Sequence, residues 1–523
     1  MTRSLAEWEA VVRGNPVNGT YQDALATARF EAGDYAGALS AWQDALRLGA
    51  WAHLTALDAL PTVYPGEIGY RIACCHARLG DRERAMDALG TAIGAGLRDA
   101  RRALTDEHLS ALHGDARLAD LVGPADGAGL SRVDGWWTDL RLLHREIEHR
   151  APKPHRPGLD AAVAELHDAV PNLTDIQIVV ELWRLLRNFA DGHAYIDVAS
   201  VYPEWTYALP VWFYQFVEGL FVTDADARYR ALLGAQVLAV DGHDVPAVLA
   251  ALDSVITRDN EYWPAGIAPR WLRQPAILHA LGVAEEPGRV TLTVRQPDAT
   301  VVDVTVNAEQ ADHPMWQRFA PPDALAHVDT LPGKVPAYLR DRGTRYWFEH
   351  QLADDLVYFQ FNGIGDLPDE PLDAFYRRLF AYVDEHGVSR LVMDLRWNGG
   401  GDTFLAVPLV HHVIRHDHLD LYVVIGRHTF SAAQNLATML ELHVDPVFVG
   451  EPTGGRPNGV GERVEFELPY SRLKANIGDL YWQTSWPFDQ RPAIAPHLYA
   501  PPTFEAFRAQ RDPAMEAILR ELA

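Results

Sequence analysis

The period of the apolar positions changes several times along this 523-residue chain, and each change predicts a different kind of element. Over residues 1–125 the spacing is helical. ARFEAGDYAGALSAWQDAL and HARLGDRERAMDALGTAI share an Ala-rich helix, a Gly-Asp turn and a second helix, with the turns at Gly33 and Gly80 lying 47 residues apart. Residues 130–205 read as a helical subdomain. In ELWRLLRNF the side chains of Leu182, Leu185, Leu186 and Phe189 share one helical face, and the helix stops at Asp191-Gly192, leaving His193 on the exit turn. Residues 206–310 switch to the period-two pattern of strands, with a tight turn at Asp241-Gly242 and a hairpin around Pro297-Asp298. From about 340 to 523 apolar strands alternate with helices, which predicts a layered α/β core.

Within that core the stretch RLVMDLRWNGGG, Arg390 to Gly401, reads as a buried strand ending in three consecutive glycines before a new helix. Such a turn exposes bare N–H donors at a helix mouth and makes an anion site. A second strand, Leu421 to Ile425, delivers Ser431 to the start of another helix. A hydroxyl at one strand-to-helix junction facing glycine amides at another is what acyl transfer needs. Either half alone is better read as a glycine turn or an N-cap serine in an ordinary α/β domain. His412 and His416 have the spacing of a metal pair, yet no third ligand completes a motif, so neither a metal nor a cofactor is expected.

DLRWNGGG, FSAAQNLA and VFVGEPTGGRPN, in that order, resemble the tail-specific, or C-terminal processing, serine peptidases, a family that includes the tricorn protease core. The resemblance implies a ClpP/crotonase-like core, with Ser431 as nucleophile and the amides of Gly399 or Gly400 and of Ala432 as oxyanion hole. Many members carry a lysine base twenty-five residues after the serine. Here that position is Arg456, which stays protonated and cannot act as a base. The segment ADGHAY resembles the D-G-H segment of lysine-lacking, tricorn-like members and so implies that His193 is the base. Arg456 is left to bind a substrate carboxylate. In such members an acid near the C-terminus completes the charge network; the matching region, FDQRPAIAPH, makes Asp489 the candidate. The strand-turn-helix at 234–252 resembles part of a PDZ module, and the helical pairs before residue 125 resemble tetratricopeptide repeats once an insertion, roughly 54–64, is allowed.

Composition adds bounds. A net charge of −25 disfavours nucleic acid and anionic membrane as partners. Cys74 and Cys75 are adjacent, which makes no disulfide framework and points to a reducing compartment. No apolar run reaches membrane-spanning length, so the cytoplasm is expected. The reading is a multidomain α/β serine peptidase acting on peptide or protein substrates, with the helical repeats either a platform for a further protein partner or a solvated cap that stabilises the enzyme. Two alternatives stay open: a catalytically degenerate peptide-binding scaffold, and a hydrolase of a non-peptide ester or amide.

Overall fold

The computed structural model describes residues 3–49, 65–124, 127–150, 157–312 and 314–522, and the insertion expected near 54–64 lies outside these. The chain divides into two compact units, Met1–Pro171 with Glu462–Leu480, and Asn172–Gly461 with Tyr481–Ala523.

The first unit is built from helical pairs. Gly19–Glu31 turns into Tyr35–Arg47, and Pro65–Arg78 turns into Arg82–Gly94. Both turns are made alike. Gly33 and Gly80 take the left-handed conformation that closes a helix, and the next residue, Asp34 or Asp81, caps the helix that follows. The small residues Ala38, Ala41 and Ala45 let the helices approach around Trp42, and Ile68, Ile72 and Cys75 complete that cluster. This unit also takes in residues 462–480, which the sequence pattern leaves with the core. Two long-range contacts explain why: buried Asp139 accepts from the N–H groups of Tyr470 and Ser471 at 2.8 Å each, and Arg98 forks onto Asp479 at 2.8 and 2.6 Å.

The second unit contains an antiparallel sheet and a mostly parallel one. In the antiparallel sheet, strand Gln236–Val240 turns through Asp241 and Gly242, both at positive φ, into His243–Asp244. Strands Arg289–Arg295 and Val301–Asn307 form the hairpin expected around Pro297-Asp298. The other sheet has six strands in chain order: Tyr346–Gln351, Leu356–Phe361, Arg390–Asp394, Asp420–Ile425, Val447–Gly450 and Leu498–Tyr499. The first runs antiparallel to its neighbour and the rest are parallel. Sequential parallel strands joined by right-handed crossovers place the connecting helices on one face. Leu391, Leu421, Val423 and Phe359 accordingly pack with helices Leu372–His386, Thr403–Arg415 and Ala432–Val444. The alternate side chains Tyr358, Val392, Tyr422 and Val424 face helix Pro513–Glu521. Both faces are buried, which is why these strands read as unbroken apolar runs. Among the described residues no helix is long and apolar enough to cross a membrane.

Candidate active site

The glycine turn is held by buried polar groups on its strand. Arg396 forks onto Asp512 at 2.9 and 2.8 Å and reaches Asp394, whose carboxylate also accepts from the Tyr358 hydroxyl at 2.6 Å. Two residues on, buried Asn398 donates to the Phe361 carbonyl at 2.9 Å and accepts from the Gly400 N–H at 2.9 Å. The Gly400 amide is thus occupied, whereas the Gly399 N–H has no hydrogen-bond partner among the described residues. Gly400 has φ 106°, and a Cβ there would stand 2.8 Å from Ser431 Cβ and 2.9 Å from the Ala432 nitrogen. Only glycine lets the turn come this close to the serine.

Strand Asp420–Ile425 delivers Ser431 through a loop pinned by the Thr429 hydroxyl, which donates to the Leu395 carbonyl at 2.9 Å. Ser431 has φ 54° and ψ −128°, a strained conformation for a residue with a Cβ. It stands at the N-cap of helix Ala432–Val444, yet its side chain makes no capping bond. The hydroxyl instead lies 3.1 Å from His193 Nε2. Ala432, the first helical residue, aims its N–H out of the helix at the positive end of the dipole.

His193 reaches that position from the other side. Helix Asp175–Phe189 opens with a Thr174–Gln177 capping box and buries Leu182, Leu185 and Leu186, as the sequence pattern predicts. Past its end, the buried Asp191 carboxylate accepts from the His193 main-chain N–H at 2.8 Å and lies 3.5 Å from its Nδ1. The imidazole leans on Phe430 (ring centroids 4.7 Å apart), and Phe430 stacks on Trp263 at 4.1 Å. A second acid, Asp259, accepts from the Gly192 N–H at 2.9 Å. Burial raises its carboxyl and Asp191 adds to the rise, while His193 is the strongest influence holding it down. Nε2 facing the hydroxyl, Asp191 beside Nδ1 and Asp259 close by make an arrangement that can take and return a proton.

Asp489 is engaged by its chain neighbours. Its carboxylate accepts from the Ser485 hydroxyl at 2.7 Å and pairs with Arg491 at 2.8 Å, and the Arg491 guanidinium holds it at about 2. Arg456 donates from Nε to the Asp259 main-chain carbonyl at 2.5 Å. His412 stacks on Phe380, and His416 lies 3.3 Å from Asp384.

Asp259, Asn260 and Trp263, in TRDNEYW, escape the sequence reading altogether. Asn260 is buried and donates to the carbonyls of Thr453, Gly455 and Pro492, tying this loop to the EPTGG turn. The only local signal is a polar Asp-Asn pair set between apolar helices beside aromatic residues.

No family model matches the chain, and no curated protein does. Solved structures do. Mature CPAF complexed with lactacystin superposes with a TM-score of 0.55 at 13% identity, covering 75% of this chain and 97% of that one. Mature CPAF alone gives 0.54 at 14% identity, over 75% and 96%. A serine-to-alanine mutant of CPAF gives 0.51 at 14% identity, over the same shares. In fold the chain resembles mature CPAF, and in its motifs it resembles the tail-specific serine peptidases.

Proposed function

We propose that the protein is a serine peptidase that works through an acyl-enzyme. The observation that carries this is the 3.1 Å contact between His193 Nε2 and a Ser431 hydroxyl that makes no capping bond, on a strained turn beside the Gly399 and Ala432 amides. In this reading Ser431 Oγ attacks the scissile carbonyl carbon and its proton passes to Nε2. The oxyanion is held by two N–H donors, those of Gly399 and Ala432; Gly400 serves by its lack of a side chain, its amide being engaged by Asn398. Collapse breaks the C–N bond, and His193 returns the proton to the leaving amine. Water then adds to the acyl-enzyme by the same route and frees Ser431.

A general base at Nε2 needs the proton on Nδ1, and Asp191, 3.5 Å away, favours that tautomer. Asp259 supports the same imidazolium charge, and we assign it with Asp191 to the orienting role. Asp489 is assigned to a local turn with Arg491. Arg456, bonded to the Asp259 carbonyl, positions that loop in addition to meeting substrate. The free, buried thiols of Cys74 and Cys75 support a reducing compartment.

Cleavage of a proteome-derived peptide library tests the reading. The wild type should generate new termini that Ser431→Ala protein does not. Equal cleavage by both, or none by folded wild type, would overturn it.

A further inference from the structure

Two buried arginines of the second unit come with acids. Arg396 forks onto Asp512, and Arg427 forks onto Glu451 at 3.1 and 2.5 Å. Arg318 and Arg270 do not, and both lie near the glycine turn. A Cβ built on Gly399 would stand 2.5 Å from Arg318 Nη2, so this guanidinium rests directly against the residue whose amide is read as an oxyanion donor. Arg318 has no carboxylate in reach among the described residues, and its Nε is buried without a hydrogen-bond partner. Its neighbour Phe319 meets Trp397 edge-on at 5.4 Å, and Trp397 stacks on His428 at 5.2 Å. Arg270, 8% exposed, donates from Nη2 to His428 Nδ1 at 3.0 Å, its one hydrogen bond from the side chain among the described residues. His428 must be neutral to accept it, and burial, with Arg270 next, holds the imidazole well below its ordinary value.

Arg270 is buried, Arg318 is partly so, and neither guanidinium has a counter-ion among the described residues, which is costly. Burial alone pulls Arg318 down to about 10, and burial followed by the charge of Arg318 holds Arg270 well below its usual range. Arg318 remains protonated at neutral pH, with a planar fork suited to a carboxylate. An incoming anion would supply the missing partner.

We propose that Arg318, backed by Arg270, forms a subsite for a carboxylate that the substrate carries beside its scissile bond. The proposal rests on reading the Gly399 amide as part of a peptidase oxyanion hole, because that reading sets the scissile carbonyl next to the guanidinium. The carboxylate belongs either to an acidic side chain or to the chain end. Gly399 matters to this subsite as well, since any side chain there would displace Nη2.

Binding without turnover tests it. N-acetylated octapeptides carrying Glu or Gln at each position in turn, with amidated or free C-termini, are titrated against Ser431→Ala protein. At one position or at the free terminus the carboxylate should bind about tenfold tighter than its amide. Arg318→Gln in the same background should erase that preference, and Arg318→Lys should restore part of it. Preference by amidated Glu peptides assigns a side chain, and preference by the free terminus assigns the chain end. Indifference to the carboxylate everywhere, or a preference that survives Arg318→Gln in folded protein, would overturn the proposal. A wild type that cleaves peptides while showing no such preference sinks this subsite alone; a preference in a protein that cleaves nothing sinks the peptidase reading alone.

Discussion

Ser431 and His193 are 238 residues apart in sequence and 3.1 Å apart in space. Both were legible because each sits in a short motif whose neighbours are constrained. Asp259 was not, because its place beside the Asp191–Gly192 turn depends on a loop brought up by Asn260 and leaves no period in the sequence. Asp489 was singled out from its motif alone. Its carboxylate accepts from the Arg491 main-chain N–H at 3.1 Å, two residues on, so a local turn accounts for it. Two predictions separate these acids. Acylation rates, read by stopped-flow with an activated ester, should fall about a hundredfold in Asp191→Asn or Asp259→Asn and stay near wild type in Asp489→Asn. The stabilisation from Asp489 has its own pH window. Its folded value, about 2, lies below that of a free carboxyl near 3.9, so its contribution is full above pH ~4 and is lost as pH falls toward 2. Thermal melts of wild type and Asp489→Asn should therefore differ at pH 7 and draw together between pH ~4 and ~2; a constant gap would contradict this.

At the scale of elements, the turn Asn398–Gly401 is only as good as the strand ends that hold it. Gly400→Ala puts a methyl 2.8 Å from Ser431 Cβ and should cost on the order of a hundredfold to a thousandfold in turnover, with a far smaller change in melting temperature. Asp512→Asn leaves Arg396 short of a buried partner and should cost about 3–5 kcal/mol in urea unfolding. A loss below 1 kcal/mol would show that the buried pair is not what anchors the turn. The core strands were readable because burial on both faces gives continuous apolar runs, and the hairpins because Asp-Gly and Pro-Asp turns mark them. The return of residues 462–480 to the first unit was not readable. It depends on Asp139 and Arg98, more than 300 positions away along the chain, and local pattern carries no trace of such a pair.

For the whole molecule, the net charge of −25 frames how substrates approach. An acidic chain repels acidic peptides at long range, so a carboxylate-reading subsite at Arg318 has to act locally, and affinity for Glu peptides should improve as salt screens the overall charge. The repeated Gly-Asp turns of the first unit were visible in sequence because capping chemistry is local, and the two-unit division was not, because it is a property of contacts between distant segments. The central claim is that Ser431 is a nucleophile activated by His193. Intact-mass analysis after treatment with a fluorophosphonate measures this most directly, using wild type, Ser431→Ala and His193→Ala proteins of matched melting temperature. Wild type should carry one adduct per chain, mapping to Ser431, with none in Ser431→Ala and labelling slowed by about a hundredfold or more in His193→Ala. Folded wild type that takes no label, or Ser431→Ala protein that labels as fully as wild type, would contradict it.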